Sequence, residues 1–311
     1  MNPLRNSMIK KVLITGVAGF IGSSVLDFLV ENTDWVIVGI DDCSTGNKNN
    51  ITTNLTSERF EFIEDSVFTL KTLKEYDCVF HLAALPRIQP SFDHVNEHIH
   101  ANLMSSIHIV ELMIKENHFP RFVNSSSSAI YGTPRTIPTA EDEVIDCLSP
   151  YAFQKYEVEK YIELLATRYP LDYVHLRYFN PYGLRSFNPD NMFNSYSSVI
   201  GIFLHRAKHN KPLLITGDGS QKRDFIHVND VARANYKAAI HPERLNTAFN
   251  IGHSDTMSVL EVAKLISDNY EFIPKREGEA EITFANVKKA KEILGWSPKH
   301  DLKTFIQENL K

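Results

Sequence analysis

The chain has 311 residues, 43% apolar and 23% charged, which suits about two folded lobes and excludes whole-chain disorder or a collagen-like repeat. Thirty-three basic against 38 acidic residues give a net charge of −5 without a long run of either sign, so neither a nucleic-acid footprint nor a polybasic membrane patch is expected. Apolar runs fall short of the roughly 18 residues of a membrane span and the roughly 7–15 of a signal peptide, and Cys43, Cys78 and Cys147 form no CxxC pair, so a soluble protein of the reducing cytoplasm is expected.

After a polar start over Met1–Ser7, the run Val12–Thr15 has the length of a buried strand, and Phe20–Val30 has helical apolar spacing. Further β-branched or apolar runs follow at Trp35–Ile40, Phe60–Ile63, Cys78–Leu82, Phe122–Asn124 and Tyr173–Leu176. Longer amphipathic stretches separate them, notably Val95–Asn117 and Tyr151–Tyr169, each expected as a helix. Short strands alternating with helices predict a parallel sheet built from βαβ units. Beyond Arg177 the rhythm breaks at Asn180–Gly183 and Asn188–Asn191. Helices are expected at Val199–Lys208, Ser258–Asp268, Val287–Leu294 and Leu302–Leu310, with a turn at Gly217–Gly219. The expected division is a cofactor-binding domain over 9–177, with 225–255 returning to it, and a second lobe from 178–224 and 256–311.

Gly16, Gly19 and Gly22 form GxxGxxG directly after a strand and at the opening of a helix, with Phe20 and Ile21 inside the motif. Glycine there permits a tight turn and lets a pyrophosphate approach backbone N–H groups where the helix dipole favours an anion. Alone, such a triplet also suits a plain turn. The second strand, however, ends in Asp41-Asp42, 19 residues after Gly22. A carboxylate there accepts from adenosine ribose hydroxyls and repels a 2′-phosphate, so NAD is favoured over NADP.

Ser149-Pro150 before Tyr151 reads as an N-cap followed by proline in the first helical position, which puts Tyr151 and Lys155 on one face of a helix. A phenol with a pKa near 10 is a poor base at neutral pH. A neighbouring ammonium and a positively charged nicotinamide ring are expected to pull it down. Tyr-x3-Lys alone also fits a solvated helix face; its place after the glycine loop, the acidic strand end and a serine-rich strand end carries the reading.

In that order the chain resembles the extended short-chain dehydrogenase/reductase family, in its NAD-dependent nucleotide-sugar epimerase branch, from about Lys11 to Pro298. The landmarks are Thr15–Gly22, Asp41 with Ser44-Thr45-Gly46, Asp65, His81–Ala84, Asn102, Ser125–Gly132, Tyr151 with Lys155, Arg177–Asn180, Arg223–Val228 and Leu294–Trp296. The resemblance implies a Rossmann-type doubly wound α/β fold with a smaller mixed α/β substrate lobe. It also implies tightly bound NAD that is not consumed, a UDP-sugar substrate and a homodimer built on the two long helices.

By the same resemblance Tyr151 is the general base, Lys155 its electrostatic helper and ribose anchor, and Ser127 the hydroxyl on the reacting sugar oxygen. Asp65 with Ser66 would hold the adenine edge, and Leu82, Ala83 and Ala84 would line the cofactor channel. Ser125, Asn102 and Tyr178 join the cofactor set. Asn180 and Arg223 would contact the diphosphate region, and Arg276 and Glu279 the uridine phosphate and ribose. Ser198, Val199, Leu214 and Thr216 are further candidates for that pocket. Thr283, four after Glu279, would gate the sugar's 2-substituent, being small enough to admit an N-acetyl group.

Related dehydratases carry an Asp-Glu pair just before Val-Tyr-Gly, and uronate decarboxylases keep the Glu. Here Ser128 and Ala129 precede Ile130-Tyr131-Gly132. Alanine transfers no proton, so 4-epimerisation through a transient 4-keto sugar is the expected reaction, with a 4-keto reductase or a 2-epimerase as the alternative. Three departures stand out. Gln154 replaces the family's usual serine, a change expected to alter packing more than chemistry. Pro86 replaces a basic or polar residue, with Arg87 either supplying that charge or contacting substrate. Phe187–Tyr196 departs from the usual loop. His94-Val95-Asn96-Glu97-His98 matches HxxEH, with His100 and His108 near, but lies where the fold needs a cofactor-domain helix; no metal site is expected.

Overall fold

The computed structural model describes residues 9–187 and 198–310; the expectations for Met1–Ser7, and for the Phe187–Tyr196 loop beyond Phe187, lie outside the described residues. Strands β1 (Lys11–Thr15), β2 (Val36–Ile40), β3 (Phe60–Ile63), β4 (Cys78–His81), β5 (Arg121–Ser127) and β6 (Tyr173–Tyr178) form one parallel sheet, joined beside β6 by the strand Thr247–Ile251. The spatial order is Thr247–Ile251, β6, β5, β4, β1, β2, β3, a Rossmann-type doubly wound arrangement. The order reverses between β1 and β4, and a crevice opens beyond the strand ends at such a point.

Both faces of the sheet are covered, as a parallel sheet requires. Val12, Ile14, Val25, Leu29, Trp35, Val174 and Phe249 build one core, and Leu13, Val38, Val79, Ile109, Phe122 and Val158 the other. A third core of Tyr182, Ile200, Phe203, Leu213, Phe225, Val262 and Phe305 is built from the C-terminal part of the chain. Helix α1 (Phe20–Asn32) follows the glycine loop; α2 (Ile88–Asp93), α3 (Val95–His98), α4 (Ser105–Glu116) and α5 (Pro150–Ala166) follow in the first lobe.

The expected single helix over Val95–Asn117 is corrected: α3 and α4 are separated by a wider π-type turn over Ile99–Met104. Serine side chains meet carbonyls of that turn, Ser105 Oγ donating to Ala101 O at 2.6 Å and Ser106 Oγ to Asn102 O at 3.0 Å. The turn carries Asn102, whose buried amide has work to do elsewhere. Apolar periodicity alone does not register this local widening.

Candidate active site

The crevice beyond the strand ends is lined by Gly16, Gly19, Asp41, Asp42, Ser44, Thr45, Gly46, Asp65, Ser66, Leu82, Ala83 and Ala84. Gly16 has φ 71°, and a Cβ there would stand 2.7 Å from Ala83 N; one on Gly22 would stand 2.0 Å from Gly16 O. Only glycine allows the loop to fold this tightly. Gly19 caps α1 without any side-chain hydrogen bond, and the first turn carries no acid, so its amides remain available to an anion. Phe20 and Ile21 open the helix, Phe20 lying along Gly183.

Asp41 is buried and holds the loop: Oδ2 accepts from Ala18 N at 2.9 Å and Oδ1 from Cys43 N at 2.8 Å. Burial pushes its carboxyl above the ordinary range, with those amides pulling the other way. Asp42 is the exposed member of the pair, and Asp65 accepts from Ser66 N at 2.7 Å on the same wall. Thr15 Oγ1 accepts from Leu82 N and Ala83 N at 3.2 Å each, fixing the opposite wall. An uncapped helix end, a close-packed glycine loop and carboxylates beside it fit a dinucleotide.

Two members of the expected cofactor set point elsewhere. Asn102 Oδ1 accepts from Leu85 N at 2.7 Å, and its Nδ2 donates to Leu85 O and to Gln154 Oε1. Its side chain therefore serves the crevice wall rather than facing the crevice. Tyr178 is buried, its hydroxyl on Asn235 Oδ1 at 3.1 Å and on Ser125.

Helix α5 starts as its sequence dictates, Ser149 Oγ accepting from Ala152 N at 3.2 Å with Pro150 in the first turn. Tyr151 meets the Ser127 hydroxyl, which also accepts from Ala129 N at 3.1 Å. Lys155, one turn on and buried, donates to Ser125 O at 2.9 Å. Burial pushes its ammonium down to about 8, with Glu159 opposing. Burial holds the Tyr151 phenol above its ordinary value, and the groups that pull it the other way are the Ser127 hydroxyl and the Arg87 guanidinium. Sequence spacing placed Lys155 on the same helix face but could not show its Nζ turned onto a backbone carbonyl.

Glu159, which sequence reading passed over, lies beneath this site. Its carboxylate accepts from Arg177 Nη2 at 2.6 Å, Arg177 Nε at 3.0 Å and Ser126 Oγ at 2.5 Å. Arg177 Nη1 in turn donates to Tyr131 Oη at 2.7 Å, and Tyr131 donates to Asn250 Oδ1 at 2.7 Å. The one sequence signal was an acid four residues after Lys155.

Three candidates from the C-terminal part of the chain come together. Glu279 stands between Arg223, 3.5 Å from Oε2, and Arg276, 4.0 Å from Oε1. Arg87 feels Tyr151, Glu279 and Arg276 at once, so this cluster adjoins the phenol. Thr283 Oγ1 accepts from Asn180 Nδ2 at 2.9 Å and from Asp224 N at 3.1 Å, with Asn180 in the left-handed region at φ 37°. Asp224 itself is a clasp, accepting from His253 N, Ser254 N and Ala285 N.

The remaining candidates sit elsewhere. Ser198 Oγ caps Val199–Lys208 by accepting from Gly201 N, while Leu214 and Thr216 lie on a strand paired with Tyr270–Ile273. Thr216 Oγ1 accepts from Gln221 Nε2 at 2.9 Å. Of the histidines, His100 packs its ring against Phe68, tilted by 32°, and His98 is buried; among the described residues no cluster of three His, Cys, Asp or Glu could hold a metal ion.

Residues 12–252 match the model of the NAD dependent epimerase/dehydratase family. A putative UDP-glucose 4-epimerase of Methanocaldococcus jannaschii is 36% identical over 95% of this chain and 96% of its own length. The solved UDP-N-acetylglucosamine 4-epimerase of Methanobrevibacter ruminantium, in complex with UDP-N-acetylmuramic acid, superposes with a TM-score of 0.88 at 29% identity over 97% of each chain. The UDP-glucuronic acid 4-epimerase of Bacillus cereus, in complex with UDP-glucuronic acid and NAD, gives 0.88 at 28% identity over 96% of this chain and 98% of that one. With its sheet order, glycine loop and Tyr151–Lys155 helix already in place, the chain belongs to the NAD-dependent epimerase/dehydratase family.

Proposed function

We propose that this protein is an NAD-dependent 4-epimerase of UDP-hexoses and UDP-N-acetylhexosamines. The observation that carries it is the contact of Tyr151 with the Ser127 hydroxyl beside a segment, Ser128-Ala129, without the acid that water loss or decarboxylation needs. Gly16, Gly19 and Gly22 would hold the NAD pyrophosphate, Asp41, Asp42 and the Ser44–Gly46 turn the adenosine ribose, and Asp65 with Ser66 the adenine. Lys155 would hold the second ribose. When bound, NAD supplies a reversible acceptor for the hydride on sugar C4.

Tyr151 takes the proton of the sugar 4-hydroxyl, and Ser127 steadies that oxygen as it becomes a carbonyl. The same phenol returns the proton once the 4-keto sugar has presented its other face. Arg223, Arg276 and Glu279 hold the nucleotide end while the hexose turns. Net redox change is zero. Incubation with UDP-galactose, without added NADH, should yield the 4-epimer at the anomeric proton resonances. A requirement for stoichiometric NADH would reverse the assignment in favour of a reductase.

Thr283 is the proposed gate for the 2-substituent, and its hydroxyl also ties Asn180 to the Asp224 backbone. Thr283→Tyr therefore adds bulk and removes two hydrogen bonds, whereas Thr283→Val removes the bonds alone. The expected result is that Tyr lowers kcat/KM for UDP-N-acetylgalactosamine at least about 10-fold more than for UDP-galactose, a cost of order 1–3 kcal/mol for misfit groups. Val should lower both equally; a Tyr variant that also lowers both equally rejects the gate.

A homodimer is proposed through α5 and the segment before α4. Phe153, Tyr161 and Leu164 on α5 and Val95, Ile99 and Met104 beside it are large apolar side chains left exposed, Leu164 by 67%. No helix among the described residues is long and apolar enough to cross a membrane, and the three cysteines are free, which supports a reducing cytoplasm.

A further inference from the structure

Helix α2 lies between two parts of the site that the sequence keeps far apart. One is the loop 274–280, which carries Arg276 and Glu279 and leaves Arg276 and Glu277 exposed. Its ends are set by the strand Tyr270–Ile273 and by Glu281 O, which accepts from Lys222 N at 2.9 Å. Its middle rests on α2. Gln89 Nε2 donates to Glu277 O at 2.7 Å. At Gly278, with φ 76°, a Cβ would stand 3.0 Å from Phe92 Cε2 and 3.1 Å from both Ile88 Cγ2 and Leu148 O. Such an approach at a positive φ suits glycine alone.

The other part is the start of α5. Ser91 Oγ accepts from the Tyr151 backbone N–H at 3.1 Å and donates to Ile88 O at 2.6 Å. Leu148, in contact with Gly278, directly precedes the Ser149 cap of the same helix. One short helix therefore meets the loop through Ile88, Gln89 and Phe92 and meets the tyrosine's helix through Ser91.

Ordering a free loop costs backbone entropy, and a ligand that must order it binds more weakly by that cost. A loop already docked on a helix spares its ligand that loss. Glu279 also stands between Arg223 at 3.5 Å and Arg276 at 4.0 Å, so docking positions three charged side chains together. The Gln89 bond lies at the surface, away from the sheet and its cores, so global stability depends little on it.

Taking Arg276 and Glu279 as the proposed grip on the nucleotide, we infer that Gln89 and Gly278 are positioning residues that dock this loop on α2 before substrate arrives. The docking fixes the grip relative to the helix that carries Tyr151. Neither residue touches a reacting atom. The loop serves the nucleotide and not the hexose, so the effect is the same for every UDP-sugar, unlike that of Thr283.

The test measures UDP binding to the NAD-bound protein by calorimetry, without sugar or turnover. Gln89→Met keeps the length of the side chain and removes its donor. UDP should then bind about 2–10-fold more weakly, the worth of one hydrogen bond. Gly278→Ala should weaken it further, by about 10-fold or more. Because both act through the same docking, the double variant should lose no more than Gly278→Ala alone. KM should rise by the Gln89→Met factor for UDP-galactose and UDP-N-acetylgalactosamine alike, with kcat and the urea midpoint unchanged. Parent-like UDP binding by Gln89→Met, additive losses in the double variant, or a urea midpoint that falls with the affinity each overturns the inference. Should Gly278→Ala fail to fold, Gln89→Met alone decides. A parent protein that ignores UDP removes the nucleotide reading and the inference together. A parent that binds UDP, beside a Gln89→Met variant that binds it equally, removes the inference alone.

Discussion

Replacing Tyr151 by Phe should lower epimerisation of UDP-galactose by about 10²–10⁴-fold, the usual contribution of a positioned general base. The ring packs as before, and only the hydroxyl shared with Ser127 is lost, so folding and NAD affinity should be unchanged. NAD binding followed by nucleotide fluorescence, alongside anomeric-proton NMR, separates the two. A variant that turns over at the parent rate removes Tyr151 from the mechanism. The loss should fall in kcat rather than KM, because in the proposed function the phenol acts on the proton in flight and Arg223, Arg276 and Glu279 hold the nucleotide end.

Glu159→Gln should cost about 3 kcal/mol of stability, the low end for breaking a buried ion pair from one side. The Arg177 guanidinium would remain among Tyr131, Glu141 O and the sheet with its counter-charge gone. The neutral amide keeps an acceptor for Nε, which is why the low end applies. Urea midpoints at constant m-value measure it. A loss under about 1 kcal/mol would mean that the pair is no better than its neutral replacement, which the desolvation cost of buried ions permits. The same substitution removes the carboxylate that supports the charged form of Lys155, so the lysine should deprotonate at lower pH.

The fold was readable because its signals are local. Val12–Thr15, Gly16–Gly22 and Ser149-Pro150 each announce a strand, a turn or a cap within a few residues, and the structure places each as expected. The crevice was legible for the same reason, since the glycines and Asp41 follow strands at fixed offsets. What escaped was anything decided by long-range side-chain partnership. Glu159 meets Ser126 across 33 residues, Asn102 meets Gln154 across 52, and Thr283 meets Asn180 across 103. No periodicity encodes those meetings. The widened turn at Ile99–Met104 was missed because an apolar stripe looks alike with one residue more per turn.

The bracket between Asn102 and Gln154 also bears on how such a chain can drift. Serine at position 154 alone would take from the buried Asn102 Nδ2 one of its two acceptors, leaving it only Leu85 O, and a change at 102 alone would strand the Leu85 backbone. Neither single step is neutral, although the double change could be. Descendants of this chain should therefore inherit 102 and 154 as a linked pair, and transplanting a serine from a relative tests ancestry as much as chemistry.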